Sequence, residues 1–523
     1  MTSCPDPPAG TPTAEPAAPA AGGGQSYGRI LKSSVLIGGS SAINVALGIL
    51  RSKAIALLLG PAGFGLMGLY TSIANLAQSI AGMGVNSSGV RQIAAAVGSG
   101  DTGRIARTAA VLRRTSVALG ALGAVLLLGL SGPISRLTFG NGERALPVAL
   151  LSLAVLFRVV SDGQGALVQG LRRISDMARI AVYGGLLATG ATIALVYLFR
   201  ERGVVPSLIA TTAASLIFTW WFSRKGRVPV LPMAASEVSR EAGALLKLGF
   251  AFMASGMLTM GTAYAIRLFI VRRIHVGAAG LYQSAWTLGV LYVGFVLQAM
   301  GADFYPRLTA VVRDRAQCNR LVNEQAQISL LLAGPGVIAT LTFAPLVLVL
   351  LYSRAFEDAA AILRWICMGA ALQVVSWPIG FIIVAEGRQA LFFWTELAYT
   401  LVHVGLAWAL VATWGAHGAG VAFFLSYAFH VFLIYAVVRG LTGFRWSATN
   451  RRLGAIFLAL IGLVFCGFAT LGFWAATAVG VVALLASTVH SVRTLIRLVP
   501  RDRLPKPFLR LLVWARIAPS ECD

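Results

Sequence analysis

The stretch KAIALLLGPAGFGLMGLYTSIANLAQSIAGMG, residues 53–84, joins two long apolar runs through a short Gly-Pro-Ala-Gly sequence. Apolar segments of about 20 residues recur from here in both directions, and each is long enough to cross a ~30 Å hydrocarbon core as a helix. We therefore predict an all-α, polytopic membrane protein with about fourteen transmembrane helices. The predicted spans are 31–58, 66–90, 108–130, 146–168, 178–198, 204–222, 246–271, 280–302, 326–351, 359–384, 390–412, 418–438, 453–471 and 473–492.

The composition agrees with a membrane protein and excludes an ordinary soluble domain. Of the 523 residues, 57% are hydrophobic and 12% are charged, whereas soluble domains carry roughly 25% charged residues. The formal net charge of +24 resembles that of nucleic-acid-binding proteins. Such proteins do not need so apolar a chain, so we expect membrane lipids, and no nucleic acid, as partners.

Motifs for enzymatic chemistry are missing from the sequence. The five cysteines are widely spaced along the chain and form no CxxC pair, and the five histidines include no HExxH pair. No G-x-x-x-x-G-K-[ST] sequence is present, so the chain lacks a P-loop for ATP. We predict no catalytic residues, no metal site and no cofactor, and a membrane protein that has no nucleotide-driven motor of its own.

The basic residues are distributed unevenly between the loops on the two sides of the predicted helices. Of the 43 Lys and Arg residues, 31 lie on one side and 7 on the other. The positive-inside rule then places both termini in the cytoplasm. The remaining five cations, which are assigned to neither side, lie inside predicted spans: Arg51, Lys53, Arg158, Arg267 and Arg364.

A weak internal repeat divides the chain into two lobes. When the two halves are aligned, Gly65-Leu66 falls on Gly280-Leu281, and both segments belong to the start of a six-helix set with the same orientation. Such a repeat predicts a pseudo-twofold axis along the membrane normal. The predicted regions are a disordered cytoplasmic leader 1–28, an N-lobe 29–222, a cytoplasmic linker 223–245, a C-lobe 246–438, an additional helix pair 439–492 and a basic cytoplasmic tail 493–523. Within the tail, the segment 504–517 either lies on the inner leaflet or only sets the topology.

Cations inside the spans are candidates for binding a diphosphate. Ionisable groups cost roughly 2.5–3.5 kcal/mol each in a membrane, so they usually mark a pathway or a paired site. Arg267 falls beside the images of Arg51 and Lys53 in the second repeat, which predicts opposed cations facing one cavity. Arg158 is a fourth candidate. The alternatives are that Arg51 and Lys53 reach out to the interface and that Arg158 only forms an i,i+4 pair with Asp162.

Polar residues follow helical spacing in the first, second and fourth spans. Amide and hydroxyl groups offer both donors and acceptors, as sugar hydroxyls require. Hydrogen bonds that only join helices are an equally simple interpretation. The candidate glycan-binding residues are Asn44, Asn75, Gln78, Asn86, Asp162 and Gln169.

The eleventh span carries Glu396 and His403 on one helical face. A buried carboxylate near histidines is suited to carry a coupling ion, H+ or Na+. The alternative is that these groups only form hydrogen bonds between helices.

Three segments resemble a known family: KAIALLLGPAGFGLMGLYTSIANLAQSIAGMGVNSSGV (53–90), ADFYPRL (302–308) and PIGFIIVAEGRQALFFWTEL (378–397). They are similar to Wzx-type O-antigen and polysaccharide flippases, the polysaccharide-transporter branch of the MATE-like superfamily. The resemblance implies a V-shaped, two-lobe bundle in the bacterial cytoplasmic (inner) membrane. It also implies an undecaprenyl-diphosphate-linked oligosaccharide as substrate, and a polysaccharide polymerase and a chain-length regulator as partners. Many family members have twelve spans, so the additional pair departs from the pattern.

We therefore expect a flippase that moves the lipid-linked oligosaccharide from the inner to the outer leaflet by alternating access. One alternative is a cation-coupled exporter of small drugs on the same fold, although such a site favours acidic groups and these spans hold more cations. Another is a membrane polysaccharide polymerase, which would need a larger outer loop. A scaffold without transport activity is the third.

Overall fold

The computed structural model describes residues 23–225 and 235–498, and the regular secondary structure within these ranges is helical. The remaining parts of the predicted leader, linker and tail, with the segment 504–517, lie outside the described residues. Two predicted boundaries differ from the helices. The first helix begins at Gly23, inside the predicted leader 1–28, and another begins at Ala235, inside the predicted linker 223–245.

The helices follow one another with short connections. We number them in chain order: α1 Gly23–Gly82, α2 Val85–Gly98, α3 Thr102–Gly129, α4 Ser131–Phe139, α5 Ala145–Gly170, α6 Ile174–Phe199, α7 Val204–Arg224, α8 Ala235–Arg273, α9 Val276–Val311, α10 Arg315–Thr342, α11 Ala344–Leu351, α12 Ala359–Ala385, α13 Gln389–Thr442, α14 Ala448–Thr470 and α15 Phe473–Leu498.

Nine helical stretches within the described ranges are long and apolar enough to cross a membrane. Three of them are 45 to 54 residues long, about twice the length that one crossing needs. Each is interrupted, at Gly60, at the 3-10 turn Arg200–Gly203 and at Gly415, where the two glycines adopt positive φ. The prediction of an all-α, multi-pass membrane protein is confirmed, while the number of fourteen crossings stays a prediction.

Two predicted spans are broken in the structure. The span 66–90 ends at Gly82, because Met83 and Gly84 adopt positive φ (44° and 65°) before α2 begins. The span 326–351 is divided at Phe343 into α10 and the short helix α11. Both apolar runs continue across the break, so hydropathy alone gives no sign of it.

Two separate hydrophobic clusters lie in the two halves of the chain. One joins the second part of α1 to α5 and α7 around Leu66, Tyr70 and Val155. The other is built mainly from α9, α10, α12 and α13. The additional helices α14 and α15 pack on α10, where Asn450 Nδ2 donates to the Asn323 carbonyl oxygen at 2.7 Å. The N-lobe and C-lobe boundaries stay a prediction.

Gly65 of α1 and Gly280 of α9 form a close backbone contact between the two halves, which we call the Gly65 junction. A Cβ atom at Gly65 would overlap the Val276 carbonyl oxygen, and one at Gly280 would overlap that of Pro61. Only glycine permits this approach. Gly65 and Gly280 are the pair that the internal repeat superposes, and equivalent residues meet in this way on a twofold axis.

A second backbone contact, the Gly84 junction, lies at the other end of the α1 segment that begins at Pro61. A Cβ atom at Gly84 would overlap the carbonyl oxygen of Gly249 in α8, and one at Gly249 would overlap that of Met83. At a rise of about 1.5 Å per residue, the helix from Gly65 to its end at Gly82 spans about 26 Å. The polar residues of this part of α1 therefore lie between two close backbone contacts with the second half of the chain.

Candidate functional site

Arg267 of α8 is the most deeply buried of the predicted cations, with 7% of its surface exposed. Its Nε donates to Gln283 Oε1 at 2.7 Å, and its Nη1 donates to the Ala263 carbonyl oxygen at 2.6 Å. Both acceptors are neutral. Among the described side chains, no Asp or Glu forms an ion pair with Arg267. Within the described part of the chain, its positive charge is thus held by hydrogen bonds to neutral groups and is not neutralised.

Gln283 of α9 is a site residue that the sequence-based prediction missed. Its Nε2 donates to Thr287 Oγ1 at 3.1 Å, and the Thr287 hydroxyl donates to the Gln283 carbonyl oxygen at 2.9 Å. A Cβ atom at Gly68 of α1 would lie 3.2 Å from Gln283 Oε1. The alignment that places Gly65 on Gly280 also places Gly68 on Gln283, so the internal repeat was the signal that could have found this residue.

The two cations of α1 have different surroundings. Arg51 is half-buried, in the part of α1 before Gly60. Lys53 Nζ donates to the Leu350 carbonyl oxygen at the end of α11, at 2.5 Å. In this conformation Lys53 therefore joins the first helix to the second half of the chain and is not grouped with Arg267.

Arg158 belongs to a different polar cluster, between α5 and α1. Arg158 Nε lies 3.2 Å from Asp162 Oδ1, and Gln78 Nε2 donates to Asp162 Oδ2 at 2.5 Å. The Arg158 side chain is 49% exposed and its charge is matched by the carboxylate one turn away. The structure thus brings Gln78, Asp162 and Arg158 together. Arg158 and Asp162 form an ion pair within α5, and Gln78 joins it from α1.

The other predicted glycan-binding residues are not all on one face. Asn75 of α1 and Gln169 of α5 are exposed. Asn86 is also exposed but lies in α2, so the break after Gly82 interrupts the polar row that the spacing predicts. Asn44 Nδ2 donates to the Ser40 carbonyl oxygen at 2.9 Å, within its own helix.

Glu396 and His403 of α13 do not contact each other. Glu396 Oε1 lies 3.7 Å from His430 Nε2, across the kink of α13 at Gly415. His403 is buried, with its Nδ1 3.5 Å from the Tyr399 hydroxyl. The pair in the structure is therefore Glu396–His430. The described residues contain no group of three or more Cys, His, Asp or Glu side chains arranged to hold a metal ion.

The geometry separates two kinds of polar site inside the bundle. A buried guanidinium with only neutral partners attracts an anionic group, because an unneutralised buried charge is costly. A carboxylate already paired with arginine is suited to hydrogen-bond neutral hydroxyl groups at its remaining sites. Arg267 is of the first kind and Asp162 of the second.

The sequence matches a family described as polysaccharide biosynthesis protein over residues 54–361. Among curated relatives, the lipid III flippases of Escherichia coli (strain K12) and Shigella flexneri are each 22% identical over 407 residues. Each match covers 76% of this chain and 95% of the relative.

Solved structures with similar folds include the lipid II flippase MurJ in an inward closed conformation. Its TM-score is 0.69 at 13% identity, over 88% of this chain and 100% of that one. An inward-facing multidrug resistance MATE family transporter of the MOP superfamily has a TM-score of 0.61 at 18% identity, over 77% of this chain and 94% of that one. These likenesses show the fold.

Proposed function

Because the chain belongs to the polysaccharide biosynthesis protein family, we propose that it flips an undecaprenyl-diphosphate-linked oligosaccharide across the bacterial inner membrane. The protein is a multi-pass membrane transporter and not an enzyme. The curated relatives flip lipid III, which supports a lipid-linked precursor as the substrate class here. An O-antigen or exopolysaccharide repeat unit is the finer part of the proposal.

The observation that carries the proposal is the charge of Arg267, which has neutral partners among the described residues and lies one helical turn from the Gly65 junction through its contact with Gln283. A diphosphate carries several negative charges and needs cationic donors that are not already paired. Arg267 meets this requirement, because its described partners are an amide and a backbone carbonyl. An exporter of cationic drugs would need the opposite charge at this position.

The remaining predicted cations contribute in different ways. Arg51 is the second diphosphate ligand in the proposal, since it is half-buried in the same part of α1 as Lys53. Lys53 becomes available when the halves separate and its bond to the Leu350 carbonyl oxygen breaks. Arg158 assists only weakly, because Asp162 matches its charge. In this account the glycan lies against Asn75, Gln78, Asp162 and Gln169, and Asn44 and Asn86 belong to the edge of the path.

The distribution of basic residues gives the orientation of the two junctions in the membrane. The positive-inside rule places both termini in the cytoplasm, so the Gly84 junction faces the cytoplasm and the Gly65 junction faces outward. Opening the Gly84 junction admits the glycan while the polyprenyl chain stays in lipid. Opening the Gly65 junction then releases the glycan, as rocking of one lobe against the other would allow.

Binding alone does not give a direction, since a ligand shifts an equilibrium only by its different affinity for the two states. We place the coupling ion, H+ or Na+, at Glu396 with its partner His430, and His403 in the same polar group. A polymerase and a chain-length regulator that consume the flipped product complete the set of proposed partners.

The test depletes the protein in its host and measures the leaflet in which labelled lipid-linked oligosaccharide accumulates. Accumulation on the cytoplasmic side is expected. Accumulation on the outer leaflet would contradict a flippase and favour a polymerase. Arg267→Ala is expected to lower export at least tenfold, as loss of a charge-assisted contact of about 1.5–3 kcal/mol predicts.

The matched control is Arg273→Ala, on the same helix, whose side chain is exposed. We expect near-normal export with Arg273→Ala at equal protein levels. If both variants export equally well, Arg267 is not part of the substrate site.

A further inference from the structure

Gln283 occupies a position on the pseudo-twofold axis where the two repeats differ. The internal repeat pairs Gly65 with Gly280 and, one turn further, Gly68 with Gln283. Each pair meets in space: the first in backbone contact, the second with the Gln283 Oε1 and Cγ atoms 3.2 and 3.3 Å from a Cβ atom at Gly68. Because Gly68 has no side chain, the second repeat alone supplies a side chain at this point of the axis.

The amide of Gln283 has a defined orientation. The Thr287 hydroxyl uses its only hydrogen on the Gln283 carbonyl oxygen, so it can only accept from the Gln283 side chain. The amide nitrogen therefore faces Thr287 and the amide oxygen faces Arg267 Nε, at 2.7 Å. Arg267 Nη1 is held by the Ala263 carbonyl oxygen, so two of its three nitrogens have defined partners.

We infer that Gln283, locked by Thr287, is a positioning residue that aims the Arg267 guanidinium at a diphosphate and keeps its charge available. The inference rests on the proposed function. A neutral amide holds the guanidinium without cancelling its charge, whereas a carboxylate of the same shape would form an ion pair. The contrast exists within the molecule, because Asp162 neutralises Arg158 in this way. Gly68 contributes to the same arrangement, since a Cβ atom there would lie 3.2 Å from Gln283 Oε1 and press on the amide.

The experiment measures binding of farnesyl diphosphate to the purified full-length protein in detergent, with farnesyl monophosphate and farnesol as comparison ligands. The wild type should prefer the diphosphate. Gln283→Glu places a carboxylate against Arg267 and should weaken diphosphate binding about tenfold or more, with farnesol binding unchanged. The matched control, Gln389→Glu, makes the same change at an exposed position at the start of α13 and should bind as the wild type does.

A second pair of variants separates positioning from simple loss of structure. Thr287→Val removes the hydroxyl that orients the amide and should weaken diphosphate binding about three- to tenfold. Thr287→Ser keeps the hydroxyl and should restore binding to within about twofold. Equal binding by Thr287→Val and Thr287→Ser would overturn the inference even if Gln283→Glu fails to fold.

The outcomes distinguish this inference from the proposed function. If the wild type shows no preference for the diphosphate, both fail. If Arg267→Ala loses the preference while Gln283→Glu keeps it, the diphosphate site stands and the positioning role of Gln283 is wrong.

Discussion

Both junctions between the halves are close backbone contacts at glycines, but the side-chain contacts around them differ. At the Gly65 junction, the Phe64 ring packs at 5.2 and 5.6 Å from the rings of Tyr352 and Phe356. A hydrogen bond of 2.6 Å joins Thr138 of α4 to Tyr264 of α8. The Lys53 contact with α11 lies in the same region.

The Gly84 junction has fewer such supports among the described residues. Leu246 of α8 packs against the cluster around Val85 and Ile93, and Ser79 Oγ lies 3.1 Å from where a Cβ atom of Gly256 would be. Glycine contacts therefore permit close approach at both ends, while the aromatic and polar contacts between described residues lie mainly at the Gly65 end. We expect the Gly84 junction to open at lower cost.

Two short helices, one in each half, contribute to the additional contacts near the Gly65 junction. In each half a short helix follows the third long segment: α4 in the first half and α11 in the second. Each contacts the other half, α4 through Tyr264 and α11 through Lys53. A twofold arrangement produces reciprocal contacts of this kind. The same order of helices in each half therefore places one supporting contact on each side of the Gly65 junction.

The largest effect is expected from Gly280→Ala, because its Cβ atom would overlap a backbone oxygen that no side-chain rotation can move. Overpacking costs roughly 1–3 kcal/mol, which predicts a rise of about 5- to 150-fold in amide hydrogen exchange over residues 64–72. Gly249→Ala should raise exchange in residues 83–92 instead. The matched control is Gly294→Ala, in open space on α9. The same exchange pattern in both junction variants would remove the distinction between the two ends.

An intermediate effect is expected from Phe64→Ala, which removes two aromatic contacts of the Gly65 junction. Each contact is worth about 0.5–1.5 kcal/mol, or about 2- to 13-fold in exchange, so exchange in residues 64–72 should rise by less than in Gly280→Ala and the rise should remain local. Phe432→Ala serves as the control, since this ring is 73% exposed. Unchanged exchange after Phe64→Ala would mean that the glycine contact alone closes this junction.

The smallest effect is expected from Tyr264→Phe, which removes only the hydrogen bond to Thr138. Hydrogen bonds between membrane helices contribute about 0.6 kcal/mol on average and about 1.7 kcal/mol at most, so exchange near α4 should rise about 3- to 20-fold. Tyr197→Phe, at a side chain 63% exposed, should change nothing. An effect of Tyr264→Phe that exceeds that of Gly280→Ala would reverse the order of contributions proposed here.

Much of the fold follows from local sequence. The apolar runs predict the helices, and the Gly60-Pro61 sequence predicts the break between the first two. The internal repeat predicts that Gly65 and Gly280 occupy equivalent positions in the two halves. The breaks after Gly82 and at Phe343 were missed, because they depend on backbone φ and on packing, to which hydropathy is insensitive. The candidate site shows the same division. Arg267 was predicted from its charge in an apolar span, whereas its partner Gln283 was not.

The sequence by itself determined which side chains would be costly to bury, since charge and apolar length are properties of each segment alone. Only the tertiary structure decided which partners these groups find on other segments. Gln78 of α1 donates to Asp162, Arg267 meets an amide from another helix, and Glu396 faces His430 and not His403. The reason is geometric: partners depend on how each helix is rotated and where it breaks, and those are set by contacts between segments far apart in the chain.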